Sequence, residues 1–249
     1  MSAPFGRRAA TIAERWSLGR YVALATTDTL ARGQPGQFYM VAATERWGGG
    51  EGERPYLARA LSIMRAREGG RVEFLLEDIG PGTHRLCELR AGEGVELVGP
   101  LGRGFSAPGS EALLVGGGIG IAPLLAAQDA WGGQALLGFR DARHAEAAAL
   151  FADALVATDD GSAGHHGRVT ELLDEELDRM PRPILACGPP GMLDAVRRIA
   201  LARELSAELA LEAPMACGFG ACWGCVVATV NGYRRVCVDG PVFAAESLA

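Results

Sequence analysis

Four of the chain's six cysteines fall between positions 217 and 237, in "CGFGACWGCVV" and "RRVCVDG". No other feature limits the fold as much, because thiols crowded this closely need a shared purpose. Cys217, Cys222 and Cys225 follow a C-x4-C-x2-C spacing, with Cys237 further on, which is the plant-type ferredoxin arrangement for a [2Fe-2S] cluster. Gly218, Gly220 and Gly224 lie between the ligands, where missing side chains let backbone N–H groups turn toward sulfur. Structural zinc is the alternative for four cysteines, although zinc sites favour paired short knuckles over one three-cysteine loop with a distant fourth ligand. Cys87 and Cys187 are isolated and read as small buried side chains.

At 249 residues, 49% of them apolar and 22% charged, the chain has a globular composition with room for two modest domains and a small appended module. Its net charge of −6 argues against a surface that coats nucleic acid and favours small-molecule or protein partners. None of the 24 cationic residues is lysine, so Schiff-base and lysine general-base chemistry are excluded. The segment "MSAPFGRRAATIAERWSLGRY" lacks the apolar core of a secretory signal. The most apolar window, 112–127, is too short and too interrupted by glycine to span a membrane. The expectation is a cytoplasmic protein with neither membrane nor nucleic-acid partner, in which clustered thiols serve metal or redox chemistry rather than disulfides.

From Arg20 to about Phe105, short β-rich runs ("YVALATT", "QFYMVAA", "RVEFLLEDI", "GVELVG") alternate with turns at 32–36, 47–53, 67–70 and 90–94, as in an antiparallel barrel or sandwich. From Glu111 the texture changes. "ALLVGGG", "QALLGFR" and "PILACG" read as strands, while "APLLAAQDAW", "AEAAALFADALV", "VTELLDEELDRM" and "PGMLDAVRRIALARE" read as helices. Strands alternating with helices indicate a parallel sheet. The expected organisation is a barrel over 1–108, an α/β nucleotide-binding domain over 109–210 and the cysteine module over 211–249.

Within the second unit, "LLVGGGIGIAP" is a strand, a glycine turn and a helix start, with Pro123 expected at the first helical position. Such a turn admits phosphate to the positive end of a helix. It departs from the G-x-G-x-x-G/A fingerprint because Ile121 stands at the third small position. "ACGPPGM" places a second loop on the same sheet edge, and two such loops make a ligand crevice. The candidate nucleotide contacts are Gly117, Gly118 and Gly120 in the first loop and Cys187, Gly188 and Pro189 in the second. Arg140 and Asp141, in "GFRDARH", leave NAD and NADP both open as ligands. His165 and His166 sit in a polar stretch without a third metal ligand and read as solvated.

These pieces in this order resemble the electron-transfer subunit family of NAD-dependent dihydroorotate dehydrogenase, within the ferredoxin-reductase-like flavoproteins. The resemblance rests on "PGQFYM", "RALS", "GPGT", "GPLGRGF", "GGGIGIAPL", "ACGPPGM" and, most specifically, "CGFGACWGCVV" through "CVDGPVF", and it covers nearly the whole chain. It implies an FAD-binding β-barrel, an NAD-binding α/β domain and a C-terminal [2Fe-2S] module. Arg59 and Ser62 would take the family's flavin positions with Ala60 and Leu61 between them; Gly82 and Thr83 would meet the pyrophosphate, and Leu75, Leu76 and Glu77 would run past the cofactor. Ala60 replaces the proline usual after this arginine, and Leu61 replaces the tyrosine that wider reductases stack on the flavin. No residue takes an acid-base or nucleophilic role. The implied activity passes electrons from FMN on a catalytic dihydroorotate dehydrogenase subunit through the cluster and FAD to NAD, in a heterotetramer of two copies of each chain. Sulfhydrogenase subunits and ferredoxin-NAD(P) reductases share the same modules and are the alternative. Trp223, between two ligands, reads either as a packing residue of the module or as an anchor for the partner.

Overall fold

Buried and exposed positions alternate through much of the first hundred residues, the pattern of a wall with one dry face. The computed structural model describes residues 6–28, 33–49, 55–67 and 71–249; Arg32 and parts of the turns at 47–53 and 67–70 lie outside these. Strands β1 (Arg7–Leu18), β2 (Tyr21–Thr26), β3 (Phe38–Ala43), β4 (Arg59–Arg67), β5 (Arg71–Glu77) and, after helix α1 (Pro81–Cys87), β6 (Gly94–Leu101) close into an antiparallel barrel in the order β1-β2-β5-β4-β3-β6. Leu24, Tyr39, Val41, Ile63, Phe74, Leu76 and Leu97 fill its interior. Two of the six strands are absent from the sequence reading. Only Ile12 of β1 is fully buried, and β4 carries Arg65 and Arg67, so neither shows a clean apolar period. Closure recruits them, because a barrel missing two staves would expose unpaired sheet edges.

The second unit runs β7 (Leu113–Gly117), α2 (Ile121–Trp131), β8 (Gln134–Phe139), α3 (Ala142–Ala145), β9 (Leu155–Thr158), β10 (His165–His166), α4 (Val169–Arg179), β11 (Ile184–Cys187), α5 (Pro190–Ala202) and β12 (Ala207–Ala210). After the cysteine loop come β13 (Val226–Thr229), β14 (Gly232–Arg235) and β15 (Val242–Ala244). One sheet takes the order β10-β9-β8-β7-β11-β12-β15, parallel throughout except for β15 at its edge. Every residue of β7 and β11 is buried, as expected of parallel strands covered on both faces. The strand order reverses between β7 and β11, and that reversal opens a crevice at their carboxyl ends.

Three local expectations need correction. Helix α2 begins at Ile121, so Pro123 is its third residue; the first-turn amides have no helical partner, and proline loses nothing there. The alanine-rich stretch 145–156 is not one helix but two short helical turns, Ala142–Ala145 and Glu146–Leu150, followed by β9. Helix propensity is a weak preference, and the sheet takes Leu155–Thr158 as a strand beside β8. His165 and His166 pair with Ala157 and Thr158 rather than floating in a loop, and His165 Nε2 lies 2.6 Å from Glu171 Oε2.

Two apolar clusters join the units. Tyr21, Met64 and Leu75 of the barrel pack with Leu114, Leu124, Leu125 and Leu137 around α2. Phe38, Met40 and Leu101 pack with Leu113, Leu193 and Val196, and Cys225, Val236 and Cys237 belong to this same cluster. Each fully buried side chain of this size stabilises by roughly 1.5–3 kcal/mol, so the cysteine segment is held by the core of both larger units.

Candidate functional site

The cysteine loop reaches its shape through left-handed backbone at Gly218 (φ 78°), Gly220 (φ 90°) and the non-glycine Trp223 (φ 58°). The thiols interact in two pairs, Cys217 with Cys222 and Cys225 with Cys237. The Cys222 amide donates to Cys217 Sγ at 3.4 Å, and the Cys237 amide donates to Cys225 Sγ at 3.4 Å. Among the described residues, no three of His, Cys, Asp and Glu converge on one point. Two pairs suit two irons bridged by sulfide, each taking two thiolates, whereas a single zinc needs all four sulfurs about 2.3 Å from one centre. Burial works to raise the Cys217 thiol, but amides of Cys222, Phe219 and Ala221 outweigh it and bring the thiol to about 6. Cys237 is pushed up to about 12 by burial and by its bond with Cys225. The arrangement is asymmetric: Cys222 is exposed and Cys217 partly so, while Cys225 and Cys237 are buried. A cluster here would have one edge at the surface and the other in the protein.

A cleft of about 240 Å³ opens between the barrel and the second unit. Ala60, Leu61, Ser62, Leu75, Leu76, Glu77 and Thr83, all singled out in the sequence, line it. Arg59 and Gly82 lie beside it and against each other: a Cβ on Gly82 would fall 2.3 Å from the Arg59 guanidinium carbon. That guanidinium also donates to the Leu57 carbonyl and lies 5.7 Å from the Trp47 ring centroid. Thr83 Oγ1 accepts from the amides of Ile79 (3.0 Å) and Gly80 (3.1 Å), fixing the turn into α1. The far wall was not legible. Ile119, Ala122, Leu211, Glu212, Ala213, Met215 and Pro241 complete it from the second unit and the cysteine segment. Glu212 keeps solvent contact as a residue, yet desolvation of its carboxyl in that wall raises it above the usual range.

A second cleft, about 400 Å³, lies at the reversal of the sheet and is lined by Gly117, Gly118 and Pro189 among the expected contacts. Gly120, Cys187 and Gly188 stand behind it and fasten the two loops: a Cβ on Gly120 would meet the Cys187 carbonyl oxygen at 2.5 Å, and one on Gly188 the Gly117 amide at 3.0 Å. The charged residues on this crevice are Asp159 and Arg168 rather than Arg140 and Asp141. Asp141 is engaged elsewhere, accepting from the His144 amide at 3.0 Å as the cap of α3. The two clefts meet at one turn, since Gly118 lines the crevice and its neighbour Ile119 lines the first cleft.

Comparison with known proteins agrees with this geometry. Residues 212–249 match the iron-sulfur cluster binding domain of dihydroorotate dehydrogenase B. The electron transfer subunit of dihydroorotate dehydrogenase B (NAD(+)) from Caldanaerobacter subterraneus is 35% identical over 86% of this chain and 86% of that protein. The same subunit from Bacillus caldolyticus is 39% identical over 85% of each. Among solved structures, the NADH-dependent reduced ferredoxin-NADP oxidoreductase superposes with a TM-score of 0.81 at 25% identity, covering 96% of this chain and 89% of that one. The ferredoxin reductase of carbazole 1,9a-dioxygenase shares the fold, with a TM-score of 0.68 over 81% of this chain.

Proposed function

The chain belongs to the family of electron transfer subunits of dihydroorotate dehydrogenase B, and we propose that it carries electrons from FMN on a catalytic partner subunit to NAD, in an assembly of two copies of each chain. One observation carries the reading: the flavin-type cleft touches both ends of the route. One wall is built by Leu211 to Met215, which run into Cys217 two residues later; another is Ile119, whose neighbour Gly118 lines the nucleotide crevice.

The residues divide the labour accordingly. Cys217, Cys222, Cys225 and Cys237 would hold the [2Fe-2S] cluster. Ser62, Leu75 to Glu77 and Thr83 would hold the flavin of FAD, with Arg59 beside Gly82 presenting a two-pronged donor to phosphate. Gly117 and Gly118 would admit the dinucleotide phosphates to the amino end of α2, where the helix presents unpaired amides. When bound, the cluster exchanges single electrons and the flavin converts pairs of them into hydride transfer. The protein's own side chains would line the meeting point and set the distances. The surface beside Cys222 carries Phe219 at 51% exposure and Trp223 at 57%, which suits a face that a partner covers.

Mixing the purified chain with the catalytic subunit of dihydroorotate dehydrogenase B tests the proposal. Dihydroorotate-dependent reduction of NAD should appear in the mixture and in neither component alone. Oxidation of dihydroorotate by the isolated chain, or no NAD reduction in the mixture, would contradict it.

A further inference from the structure

The electron route leaves one requirement unmet. A hydride is two electrons and one proton, and the electrons arriving from an iron-sulfur cluster bring no proton. One proton per hydride must therefore enter the flavin-type cleft from water. The barrel meets the second unit at a line of hydrogen-bonding groups that leads there. Asp141, at the start of α3, has Oδ1 2.8 Å from His144 Nδ1. On the other side of the ring, Nε2 is 3.4 Å from Glu77 Oε1, and Glu77 lines the cleft. Side-chain exposure falls from 34% at Asp141 to 5% at His144 and rises to 27% at Glu77. A buried imidazole thus bridges a carboxylate at the surface and a carboxylate on the cleft wall. Tyr21, paired with Glu77 across the β2–β5 ladder, meets the His144 ring edge-on at 5.7 Å. The Tyr21 hydroxyl is buried without a hydrogen-bond partner and faces Gly118. Among the described residues, Arg140 is the cation that acts on it, beside the acidic Glu77 and Asp141.

We propose that Asp141, His144 and Glu77 form a relay that delivers this proton to the cleft. His144 is suited to the middle place, because imidazole exchanges protons near neutral pH through two distinct nitrogens. Asp141 collects the proton from water and passes it to Nδ1; Nε2 releases one to Glu77, which leaves a neutral imidazole with its proton on Nδ1, and a flip of the ring that exchanges the two nitrogens resets the relay before the next hydride. Tyr21 packs against the ring at an interplanar angle of 75°, which makes Tyr21 a positioning residue. The inference rests on the reading of the chain as a flavoprotein fed with single electrons.

The test compares two ways of reducing FAD in the purified holoprotein by stopped flow. Reduced methyl viologen gives electrons without protons, whereas NADH gives hydride, so the ratio of the two rates isolates proton supply. In His144→Gln and Glu77→Gln the viologen-to-NADH ratio should fall at least about tenfold. Proton uptake, followed with a pH-indicator dye, should slow by the same factor and keep pace with the flavin bleaching. Asp141→Asn, at the exposed end where asparagine still caps a helix, should show the same direction and guards against misfolding of the buried variants. An unchanged ratio in all three would overturn the relay and assign the proton to bulk water. A fall confined to Glu212→Gln, the other carboxylate of the cleft, would overturn it in favour of that residue. A wild-type chain that holds no FAD would instead remove the reading beneath it.

Discussion

At Gly82 a single methyl group decides whether Arg59 keeps its place. The added Cβ would fall within 2.3–2.4 Å of three guanidinium atoms, so Gly82→Ala should displace the same charge that Arg59→Ala removes. A charge-assisted contact of this kind contributes about 1.5–3 kcal/mol. Both variants should therefore lose FAD roughly ten- to a hundredfold more readily on dialysis, read as flavin absorbance, with iron content unaltered. The cysteines separate as sharply. Cys87 is buried, and that burial raises its thiol to about 11; Cys187 is buried and raised further. After iron is removed, only the accessible Cys217 and Cys222 should react with a thiol reagent at neutral pH, and mass mapping of the labelled peptides checks this. Trp223 resolves differently from a packing residue: it is 57% exposed, with the Arg235 guanidinium 4.7 Å over its ring. Trp223→Ala should preserve FAD and iron and weaken only the dihydroorotate-dependent reaction of the reconstituted complex, measured by titrating the catalytic subunit.

Among the elements, the two glycine loops at the carboxyl edge of the sheet depend on each other. A side chain on Gly120 would strike the backbone of Cys187 and Gly188 at 2.5–2.7 Å, where no rotamer change gives relief. Gly120→Ala should part the loops at an overpacking cost of roughly 1–3 kcal/mol. The KM for NADH should rise by the corresponding factor, about five- to a hundredfold, while the flavin stays bound. This edge was readable in the sequence because glycine turns between apolar strands and helices are local signals. The cysteine spacing was readable for the same reason. What escaped was set by tertiary structure. Strand β1 has one fully buried residue and exists because the barrel must close. Glu212, Met215 and Pro241 reach the cleft from more than 100 residues beyond Ser62, and no local pattern announces them. His144 closes the segment "GFRDARH" with no local signal, since only the packing of α3 on the barrel sets it against Glu77.

Across the whole molecule, three units share two apolar clusters, and both clefts lie on the seams between structural elements. The cysteine segment contributes Cys225, Val236 and Cys237 to one cluster and β15 to the edge of the sheet. It also touches the barrel, because a Cβ on Gly218 would stand 2.4 Å from Met40 Cγ. Met215 of this segment lines the cleft beside the barrel two residues before Cys217, and adjacent residues of one turn, Gly118 and Ile119, connect that cleft to the crevice at the sheet's carboxyl edge. No helix among the described residues is long and apolar enough to cross a membrane. A flavin and a two-iron cluster in electronic contact on one chain have a visible signature. The most direct test is to purify the chain without oxygen, quantify the cofactors and add NADH while recording the visible spectrum. About one FAD and two irons per chain are expected, with both chromophores bleached by NADH and only the flavin remaining to bleach in Cys222→Ser. A colourless protein holding zinc, or a cluster that NADH leaves oxidised while the flavin is reduced, would contradict this expectation.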